Sequence, residues 1–101
     1  MLDRNRLTSH LQLFPRQTIP AGSLRPAAVL VPLFQRNGND HLLLTERTAH
    51  LEHQAGEISF PGGGHDANDQ NLSITALRET EEELGIPRNQ IEILGRLDDF
   101  Y

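Results

Sequence analysis

No cysteine occurs in the 101 residues. Disulfides, thiolate metal sites and a cysteine nucleophile are thereby excluded, while the redox compartment stays open. There is no membrane-length apolar run either. The longest, AAVLVPLF at residues 27–34, falls far short of the roughly 20 residues a spanning helix needs. It also lies too far from the start for a signal peptide, so a cytoplasmic setting is the expectation. Basic charge is in deficit, with 9 Lys and Arg against 14 Asp and Glu and a net charge of -5. That balance argues against general affinity for nucleic acid or an anionic membrane, though a bridging cation still lets an acidic protein hold an anion. Internal repeats, low-complexity tracts and charged tails are all absent. Aromatic residues make up only 5%, and Phe14, Phe34, Phe60 and Phe100 are expected in the core rather than as base-stacking platforms.

What is present fits one small domain. Leu7, Leu11 and Phe14 recur at helical spacing before Pro15 and predict a short helix over residues 4–13, followed by a Pro- and Gly-containing connector to residue 26. AAVLVPLF reads as a strand covered on both faces, with Pro32 marking a place without a neighbour. NGND at 37–40 is a hairpin turn signal, and HLLLTER at 41–47 is the returning strand. EISF at 57–60 suggests a short strand, and PGGGHDAND at 61–69 a loop in which glycines permit close backbone approach. LSITALRETEEELG, with Asp69 or Asn71 as cap and Gly85 and Pro87 at its end, is a helix. QIEILGRLDDFY alternates like a final strand. This order is α/β or α+β.

The helix carries an acidic run. At 100° per residue, Glu82 lies at about -60° and Glu83 at about +40° from Glu79, whereas Glu81 falls at about 200°. Three carboxylates therefore share one stripe. One reading is a solvated face on which Arg78 pairs with Glu82 at i,i+4. The other is a divalent-metal site: glutamates near a helix C-terminus oppose the macrodipole, and hard oxygen ligands beside a glycine-rich segment suit Mg²⁺ or Mn²⁺ together with a substrate's phosphates. His50 and His53 form an H-x2-H pair, with His41 and His65 elsewhere. Without cysteines or an H-E-x-x-H helix, solvent-exposed histidines are expected rather than structural zinc.

RETEEELGI at 78–86 resembles the second half of the Nudix hydrolase box, G-x5-E-x7-R-E-U-x-E-E-x-G-U, with Thr80 replacing the first aliphatic. Gly64 holds the opening glycine, and Gln70 stands where the first glutamate belongs. FPGGGHDANDQNLSITALRETEEELG is similar to the longer box of the coenzyme A pyrophosphatase subgroup, with Asp66 and Asp69 in its loop and TALRE at 75–79. LLTERTAHLEHQAGEISFPGG from Leu43 to Gly63 resembles that subgroup's upstream element. Glu52 and Gln54 depart from it, standing where a basic residue and a histidine are expected.

The resemblance implies a Nudix-type α/β/α sandwich with a mixed sheet over residues 27–101, preceded by helix and connector over 1–26. It implies metal-dependent cleavage of coenzyme A or acyl-coenzyme A to adenosine 3',5'-bisphosphate and (acyl-)4'-phosphopantetheine. Catalytic roles fall to Glu79, Glu82 and Arg78, metal ligation to Glu79, Glu82 and Glu83, and substrate binding to Arg47, Gly62, Gly63 and Gly64. A Nudix enzyme for another nucleoside diphosphate derivative, such as ADP-ribose, and a non-catalytic nucleotide-binding module are the alternatives. The chain is expected to be the N-terminal part of such a domain. Alone, it is expected to be poorly active or to cover its strand edge with a second copy, as a homo-oligomer.

Overall fold

A computed structural model of the protein describes residues 2–20, 22, 24–46 and 56–100. It begins with helix α1, Arg4–Leu13, whose N-cap Asp3 accepts from the N–H groups of Asn5 and Arg6. Such a cap satisfies donors that the first helical turn leaves free. Pro15 ends the helix as expected, because it supplies no N–H and its ring obstructs the preceding turn.

AAVLVPLF is not one strand. It divides into β1, Ala27–Val29, and β2, which starts at Leu33 and runs to Arg36. Pro32, whose nitrogen cannot donate, stands immediately before β2. Neither piece is covered on both faces, for β2 is exposed throughout and Val29 is half-exposed. β2 pairs antiparallel with β3, Asn39–Leu42, from Leu33↔Leu42 to Arg36↔Asn39. Asn37 (φ 53°) and Gly38 (φ 76°) form the turn between them. Positive φ at both central residues defines the two-residue hairpin that Asn-Gly favours. Two short strands, β4 (Thr45–Glu46) and β5 (Ile58–Ser59), form a second antiparallel ladder.

The glycine segment differs from expectation. Gly62–Gly64 is a strand, β6, paired antiparallel with β1 through Ala27↔Gly64, Ala28↔Gly63 and Val29↔Gly62. Leu30 N–H to Pro61 O (2.8 Å) and His65 N–H to Pro26 O (2.9 Å) continue the ladder at its two ends. Glycine is a poor strand former for lack of a side chain to pack, but here that lack is what the packing uses. A Cβ on Gly62 would fall 2.2 Å from Ala28 O, and one on Gly63 would fall 2.6 Å from Glu79 Cδ.

Helix α2, Leu72–Leu84, packs on the β1/β6 ladder. Asn71 caps its start, accepting from Ile74 N–H at 2.9 Å, and Gly85 ends it in the left-handed region at φ 72°. Thr75, Ala76, Leu77 and Thr80 form its buried face, in which Ala76 and Leu77 are the buried hydrophobic residues among those described. Thr80 is 0% exposed and donates to Ala76 O at 2.7 Å. Its hydroxyl is satisfied within the helix, leaving the methyl group to fill the aliphatic position.

The last expected strand is not formed. After a 3₁₀ turn at Arg88–Gln90, residues 91–100 have no strand pairing. A strand requires a neighbouring backbone ladder, and this segment instead lies against residues 17–19. Asp99 N–H donates to Gln17 O, and the Asp98 and Asp99 carboxylates accept from Gln17 N–H (2.7 Å) and Ile19 N–H (3.0 Å). Arg4 of α1 also pairs with Glu92, which raises the pKa of the arginine and lowers that of the glutamate. The aromatic expectation fails for Phe14, Phe34 and Phe100, which are exposed because no described element covers them. Phe34 stacks on His41 across the hairpin.

The fold is thus α+β, with the described strands paired as three antiparallel ladders. Among the described residues no helix is long and apolar enough to cross a membrane.

Candidate functional site

α2 and β6 meet at Gly63. Glu79 lies one residue before buried Thr80, so its side chain emerges at the edge of the packed face and comes to rest over the glycine strand. Its carboxylate occupies the space that any other residue at 63 would fill, with Glu79 Oε1 and Oε2 each 2.8 Å from the ideal Cβ position. Gly62 and Gly64 would direct side chains to the other face, since successive strand residues alternate. Gly64 there faces the Arg25 guanidinium.

Arg78 organises what surrounds Glu79. Its Nη1 donates to Glu79 Oε1 at 3.1 Å and to Glu82 Oε1 at 3.2 Å. Nη2 donates to Gly64 O at 3.0 Å, fastening helix to strand. The remaining bonds form a fork to Asp69, Nε to Oδ1 at 2.9 Å and Nη2 to Oδ2 at 3.0 Å. The i,i+4 pairing of Arg78 with Glu82 is therefore present, with Glu82 59% exposed, yet the same guanidinium also grips two further carboxylates.

Asp69 is the partner that the sequence did not disclose. Its side chain is 4% exposed, and Oδ2 also accepts from Asp66 N–H (2.9 Å) and from the Thr75 hydroxyl (2.9 Å). The Arg78 hydrogen bonds, helped by the Asp66 N–H and Thr75, hold its carboxyl well below the usual carboxylate range despite burial. Asp69 in turn raises the Arg78 pKa, with Glu82 and Glu79 assisting against burial. Thr75, 0% exposed, also meets His65 Nδ1 at 2.9 Å, extending the network back to the end of β6. Helical spacing could have flagged Thr75 and Arg78 as i,i+3 neighbours, but nothing local marks Asp69 rather than Asp66 as the buried one.

Glu83 is exposed on the expected stripe. Glu81 points away, and it is more than a solvated residue: its Oε2 accepts from Arg88 N–H at 3.1 Å, tying the helix end to the next turn. Arg47, His50, Glu52, His53 and Gln54 lie outside the described residues. His41 and His65 stand apart from each other, one in the hairpin and one after β6. Among the described residues no three His, Asp or Glu side chains stand as a ready ligand set. Glu79 and Glu82 converge instead on one guanidinium nitrogen. This donor set still suits Mg²⁺, which is commonly held by one or two carboxylates and completed by waters and substrate phosphates rather than by an all-protein cage. The side-chain-free position at Gly63 is filled by the Glu79 carboxylate, which sets that oxygen donor against the glycine strand.

A carboxylate-bearing helix packed on a glycine strand, entered through a loop that anchors the helix arginine, defines the class. Residues 24–101 match the NUDIX domain, and the chain belongs to that family. Nudix enzymes generally use divalent metal ions. More particularly, the chain is similar to the proteins named "Uncharacterized Nudix hydrolase NudL" of Salmonella typhimurium, Salmonella typhi and Salmonella newport. Each is 42% identical over 102 residues, an overlap of 95% of this chain and 53% of the relative. The chain spans about half the length of these curated relatives.

Proposed function

We propose that the protein hydrolyses the pyrophosphate bond of coenzyme A or acyl-coenzyme A, giving adenosine 3',5'-bisphosphate and (acyl-)4'-phosphopantetheine. The observation that carries the hydrolytic reading is the placement of Glu79 over Gly63 while sharing Arg78 Nη1 with Glu82. The coenzyme A substrate is supported by LLTER upstream of FPGG, and by the aspartate loop between PGGG and TALRE.

Glu79, Glu82 and Glu83 are the residues that would hold Mg²⁺ or Mn²⁺. When bound, such an ion supplies charge neutralisation at the pyrophosphate and a lowered pKa for water. The chain's own contribution is positional. Arg78 restrains two of the three carboxylates, so little freedom remains to be lost when the substrate binds. Gly62, Gly63 and Gly64 are the proposed substrate contacts through their backbone groups, which an added Cβ would not remove. Arg47 is the proposed phosphate contact from the segment after β4. The substrate is a small-molecule nucleotide derivative, and the proposed setting is cytoplasmic.

The test is incubation of the full-length protein with Mg²⁺ or Mn²⁺ and a panel of coenzyme A, acyl-coenzyme A, ADP-ribose and dinucleotides, with products identified by mass. Release of 4'-phosphopantetheine is expected. Cleavage of ADP-ribose alone would overturn the substrate assignment, and cleavage of nothing on the panel would overturn the hydrolytic one.

A further inference from the structure

His65 is not the solvated histidine expected, for its side chain is only 30% exposed. Its ring is held at one nitrogen and free at the other. We propose that His65 is a further substrate-binding residue, whose Nε2–H, in the protonated ring, donates to a pyrophosphate oxygen beside the glutamate face of α2. The proposal rests on the hydrolytic reading above and deepens it.

His65 Nδ1 lies 2.9 Å from the Thr75 hydroxyl oxygen. That hydroxyl has one hydrogen. Its other neighbours, Asp69 Oδ2 at 2.9 Å and Asn71 O at 3.2 Å, can only accept, Asp69 because its contact with Arg78 keeps it ionised. The Thr75 hydrogen is therefore committed to them, and its oxygen accepts from His65. It follows that Nδ1 carries the hydrogen and that the neutral ring leaves Nε2 bare. Nε2 has no hydrogen-bond partner among the described residues. A second proton on the ring must go to Nε2, which then presents a charged donor for which an anionic oxygen is the fitting acceptor.

Placement gives the second half. Successive strand residues alternate, so His65 returns to the face of β6 that Gly63 presents to α2. Thr75 and Glu79 are four residues apart on the helix, a rise of about 6 Å. The His65–Thr75 contact therefore sits one turn from the Glu79–Gly63 contact, within the span of a pyrophosphate and its ester oxygens. The charged groups around the ring are few. Asp69 Oδ2 is 3.9 Å from Nδ1, Asp66 follows in the loop, and Arg78 of α2 is engaged by Asp69, Gly64 O and the glutamates. From the segment before β1, Arg25 donates to His65 O at 3.3 Å and stands at Gly64, on the opposite face of the strand. None of them engages Nε2.

The experiment reads the histidine rings of the full-length protein by long-range ¹H–¹⁵N NMR, with His65→Gln identifying the His65 signals. A hydrogen on Nδ1 is expected in the neutral ring of wild type, and loss of that preference in Thr75→Val. The rings are then titrated from about pH 5 to 8 with Mg²⁺ and the α,β-methylene analogue of ADP-ribose, a P–C–P anion that resists cleavage and keeps its charge over this range. The analogue is expected to raise the midpoint of the His65 titration and to leave those of His10 and His41, in α1 and the hairpin, in place. In turnover, His65→Gln is expected to raise KM about 10-fold near pH 6, the scale of one hydrogen bond to a charged group, with kcat near wild type. The difference should shrink toward pH 8, where the wild-type ring is neutral. A neutral ring with its hydrogen on Nε2, an unchanged preference in Thr75→Val, a His65 midpoint that the analogue does not move, or a KM effect independent of pH would each overturn the proposal. Should His65→Gln not fold, the signals are assigned through the backbone of residue 65, and the wild-type tautomer and titration decide. If no substrate on the panel is cleaved while the analogue moves the His65 midpoint, the hydrolytic reading fails and the contact stands. Cleavage with an unmoved midpoint overturns the contact alone.

Discussion

Three adjacent glycines in β6 should respond to alanine in three different ways, because what each new Cβ meets is different. At Gly63 the methyl group would lie 2.6 Å from Glu79 Cδ and 2.8 Å from both carboxylate oxygens. Carbon contacts settle near 3.5 Å, so the carboxylate must retreat by about 1 Å. The obstacle is the tip of a flexible side chain, which can swing aside, and φ at 63 is not in the positive region. Replacing glycine there also reduces unfolded-state entropy, a gain of about 0.4–1 kcal/mol. Stability should stay near wild type. Turnover should not, since a displacement of about 1 Å in a positioned group costs on the order of 100-fold. At Gly62 the new atom would meet Ala28 O at 2.2 Å and Val29 Cα at 2.6 Å. That is the backbone of β1, so the ladder must open, at about 1–3 kcal/mol or more. At Gly64 it would meet the end of Arg25, with Cζ 2.8 Å away, and both properties should be nearly unchanged. Urea unfolding followed by circular dichroism, beside turnover of all three variants, reads the pattern. Wild-type turnover in a stable Gly63→Ala, or equal destabilisation of the Gly62 and Gly63 variants, would refute the reasoning.

Acid should expose the Asp69 contact. Its folded-state pKa is depressed, so its stabilisation is fully present above the ordinary carboxylate value of about 4 and is lost as pH falls toward the folded value. The melting temperatures of wild type and Asp69→Asn, well apart near neutrality, should converge below about pH 4, and parallel curves would contradict the assignment. Asn71→Ala removes the cap on Ile74 N–H and should cost about 1 kcal/mol, read as a melting-temperature fall of roughly 4–8 °C. Gly85→Ala should cost at least about 1 kcal/mol from backbone strain alone, because φ is 72° and nothing lies within 4 Å of the added atom; an unchanged melting temperature would count against the left-handed cap.

The parts of this fold written locally were legible. Asn71, the apolar spacing and Gly85 define α2 without outside help, and Asn37-Gly38 defines the hairpin and its register. Thr80 was visible as an exception to the box, though the Ala76 carbonyl that satisfies it was not. What depended on distant partners could not be read. Gly62–Gly64 has no strand propensity and becomes a strand only because Ala27–Val29 pairs with it. Residues 91–100 carry a strand-like alternation and have no strand pairing. In the site, the stripe of Glu79, Glu82 and Glu83 followed from helical geometry. The burial of Asp69 did not, because it depends on an arginine nine residues later and on a turn at 66–69 that no local pattern fixes. The position of the missing glutamate drew attention to residue 70, whereas the ionic contact is made at 69.

The central claim is that the face of α2 lying beside Gly63 is the hydrolytic centre. It is tested most directly by measuring Mg²⁺- or Mn²⁺-supported cleavage of coenzyme A by Glu79→Gln and Glu83→Gln beside Glu81→Gln in the full-length protein. Each substitution keeps size and removes one charge. Loss of turnover at 79 and 83 with cleavage retained at 81 is the result the account predicts. Undiminished cleavage by Glu79→Gln and Glu83→Gln would contradict it.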